Sequence, residues 1–92
     1  MDSQRRLNLT SGLIELSEVG EEKKVVLAYE GGTKYRVVPA EKIPAEARIV
    51  TPRISIDKKG RMIIPKHIAD QYKEDVLVYV QGMKLYIEFN EK

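Results

Sequence analysis

A chain of 92 residues holds one domain or two very small ones and buries only a modest share of its surface, so association with another copy is a serious expectation. With 42% hydrophobic and 33% charged residues it reads as folded and soluble, and no apolar run is long enough to span a membrane. Zero cysteines exclude disulfides and thiolate chemistry, and Met1 to Arg6 does not open a secretory signal, so a cytoplasmic location is the simplest expectation.

Net charge is only +2, but its distribution is uneven. The excess lies between Arg53 and Lys66, where Asp57 alone opposes Arg53, Lys58, Lys59, Arg61 and Lys66. Cations presented together favour phosphate.

In chain order, residues 1–12 are polar and read as a mobile arm carrying Arg5 and Arg6. Leu13-Ile14-Glu15-Leu16 reads as a short strand, and Glu18 to Lys24 as a charged turn around Gly20. Lys24 to Tyr29 and Thr33 to Val38 flank Glu30-Gly31-Gly32, the pattern of a hairpin. Pro39 and Pro44 permit at most one helical turn between them. Thr51-Pro52 then marks a boundary. Residues 1–50 are a β-rich segment of unassigned role, and residues 51–92 form a second unit.

Ile54 and Ile56 alternate with polar neighbours, as in a half-buried strand. Asp57 to Gly60 is a turn in which the Asp side chain accepts from backbone amides and the glycine takes positive φ, and Met62-Ile63-Ile64 returns. Pro65 suits the first position of a short helix whose Ile68, Ala69 and Tyr72 share one face. Val76 to Val80 is apolar on both sides and wants cover on each. Gln81-Gly82-Met83 connects it to an alternating Lys84 to Phe89. Val37-Val38-Pro39 echoes Ile63-Ile64-Pro65, a pattern-level hint of an internal repeat in which only the proline matches.

The run from Arg53 through Asp57-Lys58-Lys59-Gly60-Arg61 to Ile64-Pro65-Lys66, continued by Asp75 to Val80 and Lys84 to Phe89, resembles the AbrB-like (SpoVT/AbrB) swapped-hairpin family. That resemblance implies a mostly β fold, a swapped-hairpin β-barrel made by an intertwined homodimer, here with an additional N-terminal β-hairpin segment. Such a dimer would bury Ile54, Ile56, Met62, Ile64, Leu77, Tyr79, Leu85 and Ile87 in one shared barrel, and Ile63→Ala or Leu77→Ala is expected to cost about 2–5 kcal/mol. Relatives place an arginine after the turn glycine that reaches a DNA groove, which makes Arg61 the leading DNA-binding candidate. A planar guanidinium suits a guanine edge or a phosphate. Lys58 and Lys59 are expected phosphate contacts, with Arg53 and Lys66 flanking them. Where the family's helix often carries a basic pair, this chain has Ala69-Asp70, an acidic departure.

Nothing points to catalysis, a cofactor or a metal. His67 is the lone histidine, no nucleophile has a base at a recognisable spacing, and Gly31-Gly32 lacks the residues of a phosphate loop. The expected function is a transcriptional regulator that binds double-stranded DNA as a homodimer. Two alternatives accompany it: an antitoxin whose toxin contacts come from residues 1–50, and a protein-interaction dimer that has lost DNA binding.

Overall fold

The computed structural model describes all 92 residues and is mostly β. In chain order the elements are β1 (Arg6–Asn8), α1 (Ser11–Leu16), β2 (Lys24–Gly31), β3 (Lys34–Pro39), β4 (Ile54–Ser55), β5 (Arg61–Ile63), α2 (Lys66–Ala69), β6 (Tyr72–Gln81) and β7 (Lys84–Glu91). Five strands form a curled half-barrel in the order β4-β2-β3-β7-β6, and β1 pairs with β5 as a separate two-stranded ribbon. No helix is long and apolar enough to cross a membrane.

Both long hairpins form where glycine punctuates the sequence. Gly82 and Met83 both take positive φ between β6 and β7, the backbone that a two-residue hairpin loop requires, while Gly32 does so between β2 and β3 next to Gly31, the end of β2, where the register shifts. Residues on both sides of position 50 share the sheet, because β3 pairs antiparallel with β7 from Lys34 opposite Glu88 to Val37 opposite Leu85. Ile54, Ile56, Met62, Ile64, Leu85 and Ile87 are buried within this single chain, against Leu7, Leu9, Val25, Leu27 and Val37 from the first half. The N-terminal residues thus supply the cover that the C-terminal half lacks. Leu77 and Tyr79 are the exceptions among the residues expected in a shared core, Leu77 being 61% exposed and Tyr79 half-buried.

Three local expectations are corrected. Residues 6–9 are not an arm: Leu7 and Leu9 alternate inward from β1 and are buried, so the period-two signal outweighs the polar composition around them. Leu13 to Leu16 belongs to a helix, α1, whose N–H of Ile14 bonds the Thr10 carbonyl. The segments around the Asp57–Gly60 turn do not continue as a hairpin. β4 leaves to pair with β2 and β5 leaves to pair with β1, and the bonds between the two segments are confined to the turn, around Asp57 and Arg61. Each thereby reaches an apolar partner that the other does not offer.

The chain contains two copies of one arrangement: a turn, a short strand, a short helix and a long hairpin. The first runs from Met1 to Pro39 and the second from Ile56 to Glu91. Asp2, Arg5, Arg6, Leu7 and Thr10 correspond to Asp57, Gly60, Arg61, Met62 and Pro65. The correspondence is written in hydrogen bonds: Leu9 N–H to Gly60 carbonyl (2.8 Å) mirrors Ile64 N–H to Arg5 carbonyl (2.9 Å). Likewise the Met1 amino group donates to the Glu74 carbonyl as the Ile56 N–H donates to that of Lys23. Equivalent residues face each other at the centre of each ladder, Leu7 with Met62 and Arg36 with Tyr86, so an approximate two-fold axis passes through both pairs. The echo at Val37-Val38-Pro39 is a misaligned form of this repeat. The true counterpart of Ile63-Ile64-Pro65 is Asn8-Leu9-Thr10.

Candidate nucleic-acid interface

The turn before β5 is organised by one carboxylate. Asp57 Oδ1 accepts the N–H groups of Lys59 and Arg61, both at 2.9 Å, while Oδ2 accepts Nε of Arg61 at 2.9 Å. Gly60, at φ 77°, lets the chain double back tightly enough for these bonds. The backbone bond from Arg61 is the main cause that holds the Asp57 carboxyl below its ordinary pKa; desolvation opposes it, and the Arg61 side chain and the Lys59 amide add to the lowering.

The turn before β1 repeats this construction. Asp2 Oδ1 accepts the N–H groups of Gln4 and Arg6 at 2.9 Å, and Oδ2 accepts Nε of Arg6 at 2.7 Å. Its carboxyl is likewise held low, first by the Arg6 backbone bond. Arg5 occupies the place of Gly60 and takes φ 63° without being glycine, and its Nε is buried with no partner. A side chain in that backbone region is uncommon and strained.

Strands β1 and β5 show identical burial, with the middle residue inward and the flanking ones outward. Leu7 and Met62 therefore fill the core, while Arg6, Asn8, Arg61 and Ile63 form the outer face of the ribbon. Arg6 lies opposite Ile63 and Arg61 opposite Asn8, which makes the two arginines diagonal neighbours, about 7–8 Å apart by usual sheet geometry. Each guanidinium is anchored through Nε and keeps its Nη groups free of any protein hydrogen bond. The aspartates thus aim the arginines and leave their outer edges uncommitted.

The remaining sequence-derived candidates are placed unevenly. Lys58 and Lys59 are exposed in the Asp57 turn, and Lys66 is exposed at the start of α2. Arg53 lies ahead of β4, with Nη1 at 3.3 Å from the Glu41 carboxylate. His67 Nε2 sits 3.3 Å from the Val50 carbonyl, and no group of three or more His, Cys, Asp or Glu side chains is placed to hold a metal.

Acidic groups flank both turns. Glu15, Glu21 and Glu22 share a groove with Lys58 and Lys59, and Asp70, Glu74 and Asp75 share one with Arg5. These carboxylates weaken the attraction of a phosphate to the cations in the grooves, whereas Arg6 and Arg61 on the outer face of the ribbon form ion pairs only with Asp2 and Asp57. Asp70, the acidic departure at the C-terminal end of α2, corresponds to Glu15 in α1 and borders a groove. Sequence reasoning missed Arg6 as the counterpart of Arg61. The signal was the Asp-x-x-x-Arg spacing, present at 2–6 and again at 57–61. Comparison with family models, curated proteins and solved structures yields no match to this chain.

Proposed function

We propose that this protein binds duplex DNA through the outer face of the β1–β5 ribbon and acts as a transcriptional regulator, with its two repeats serving as fused halves of an AbrB-like swapped-hairpin barrel. The observation that carries the reading is the pair of matched turns, each with an aspartate orienting an arginine outward on adjacent antiparallel strands. A two-stranded β-ribbon fits the major groove of B-DNA, about 12 Å wide, and arginine Nη groups suit guanine edges or phosphates there. Lys58, Lys59 and Lys66, with Arg5, add sequence-independent affinity to phosphates.

Fluorescence anisotropy with genomic fragments at increasing salt tests this reading. Neutralising about four phosphates predicts a slope of log K against log salt near −3.6, and Arg61→Ala is expected to lose about 1–3 kcal/mol, with Arg6→Ala similar. Binding that persists in the double Arg6/Arg61 alanine variant, or none at low salt, overturns it. A second reading, the protein-interaction module or antitoxin, is favoured by the acidic grooves and the exposed Leu77. It predicts partner binding that is indifferent to both arginines.

A further inference from the structure

The two repeats differ most at their outer sheet edges. In the first, the groups of β2 that point away from β3 are satisfied by the connecting segment. Tyr29 N–H donates to the Arg48 carbonyl (2.8 Å), Val50 N–H to the Leu27 carbonyl (2.9 Å), and Leu27 N–H to Thr51 Oγ1 (3.0 Å). Ile54 then pairs with Val25. Ala47 and Ile49 also cover the outer face at Val26, Ala28 and Val38.

In the second repeat, Val76, Val78 and Val80 stand where Val25, Leu27 and Tyr29 stand in the first. β6 is the last strand of the sheet, and none of these valines takes part in a backbone hydrogen bond outside the ladders. The hairpin closes at Gln81 opposite Lys84, so alternate residues Tyr79 and Leu77 bond to β7 and the valines present their N–H and C=O groups outward. The outer face here, Leu77 and Tyr79 beside Tyr86, has no counterpart of Ala47 and Ile49 over it. The charges of Lys73, Glu74 and Asp75 and the register irregularity lie at the start of this edge strand, and the six uncharged residues from Val76 to Gln81, with no proline among them, lack such protections against pairing.

We propose that β6 pairs antiparallel with β6 of a second copy of this chain, joining the two five-stranded sheets into one. The occupant of the equivalent edge in the first repeat is itself an extended apolar segment of this chain, which shows what the geometry accepts. The strand is also complementary to itself. Centred on Val78, the pairing sets Val76 against Val80 and Leu77 against Tyr79 of the other copy, apolar against apolar throughout. Asp75 then meets Gln81 and Glu74 meets Gly82, so no carboxylate faces a hydrophobic side chain or another carboxylate. Moving the centre toward Tyr72 brings Asp75 and Glu74 against that apolar run. The proposal stands independently of the DNA reading, since the ribbon that carries Arg6 and Arg61 is a separate sheet.

Sedimentation equilibrium with amide hydrogen exchange on the whole chain tests it. The expected mass is twice the 10.5 kDa of one chain, with the amides of Val76, Val78 and Val80 protected as concentration rises. Leu77→Lys/Tyr79→Lys and Leu77→Glu/Tyr79→Glu are each expected to be monomeric, with native amide dispersion, and to associate one-to-one when mixed. A wild-type monomer with fast exchange at the three valines overturns the proposal, whether the edge stays bare or takes a strand from a different protein. So does a lysine variant that remains dimeric, or a mixture that fails to associate.

Discussion

The Asp2–Arg6 and Asp57–Arg61 turns share a backbone and an ion pair but little else. One carries Ser3, Gln4 and a strained Arg5; the other carries Lys58, Lys59 and an unstrained Gly60. Their comparison separates what the fold demands from what is free to vary. The aspartate that accepts two amides, the outward arginine and the inward Leu7 or Met62 recur because the ribbon cannot be built without them. Ser3 and Gln4 in one turn, and Lys58 and Lys59 in the other, face solvent and are not so constrained.

The largest test of this equivalence lies at the ribbon's centre. Leu7→Ala and Met62→Ala are each expected to destabilise by about 2–5 kcal/mol in urea unfolding, because both side chains are buried in one core. A near-neutral Leu7→Ala would make the first turn a loose arm after all. Next come opposite signs at one equivalent position. Gly60→Ala should cost about 1–2 kcal/mol through its positive φ, with a new Cβ at 3.4 Å from Ile14 Cδ1, while Arg5→Gly should gain roughly 1 kcal/mol by releasing the same strain.

A smaller effect appears in acid. Both aspartates titrate below the ordinary 3.8, so each contributes stability above that pH and loses it as pH falls through the lowered folded value. Carboxyl NMR titration should show the two moving together, and Asp57→Asn should remove its share of the acid sensitivity. Smallest is Ile63→Ala. At 51% exposed, Ile63 should matter by no more than about 0.5 kcal/mol, which revises the larger cost expected from the sequence. Leu77→Ala should be similarly mild within one chain, so any larger loss at high concentration measures β6 pairing.

The hairpins and the Asp57 turn were legible because glycine, alternation and a capping aspartate act locally. What was hidden depended on distant partners. β1 and the residue after it offer just two inward leucines, Leu7 and Leu9, among polar residues, and the strand's partner, β5, lies far along the chain. The repeat was obscured at two of its most diagnostic positions, where Arg5 replaces glycine and Thr10 replaces proline. α1 was misread because the four residues Leu13 to Leu16 are too few to show a period that separates helix from strand. For the candidate site, Arg61 was singled out by the family resemblance around its turn, whereas Arg6 became its neighbour only once the ribbon brought the two strands together.

Carrying both turns on a single polypeptide has a consequence for what such a surface can recognise. An assembly of identical subunits imposes its own symmetry on the target, so an operator read that way is a palindrome. Here a change near Asp2 leaves the other side untouched, and selection can tune each independently. On the DNA-binding reading, the preferred footprint of one molecule is therefore lopsided, with a lysine-rich flank at one end and an arginine-only flank at the other.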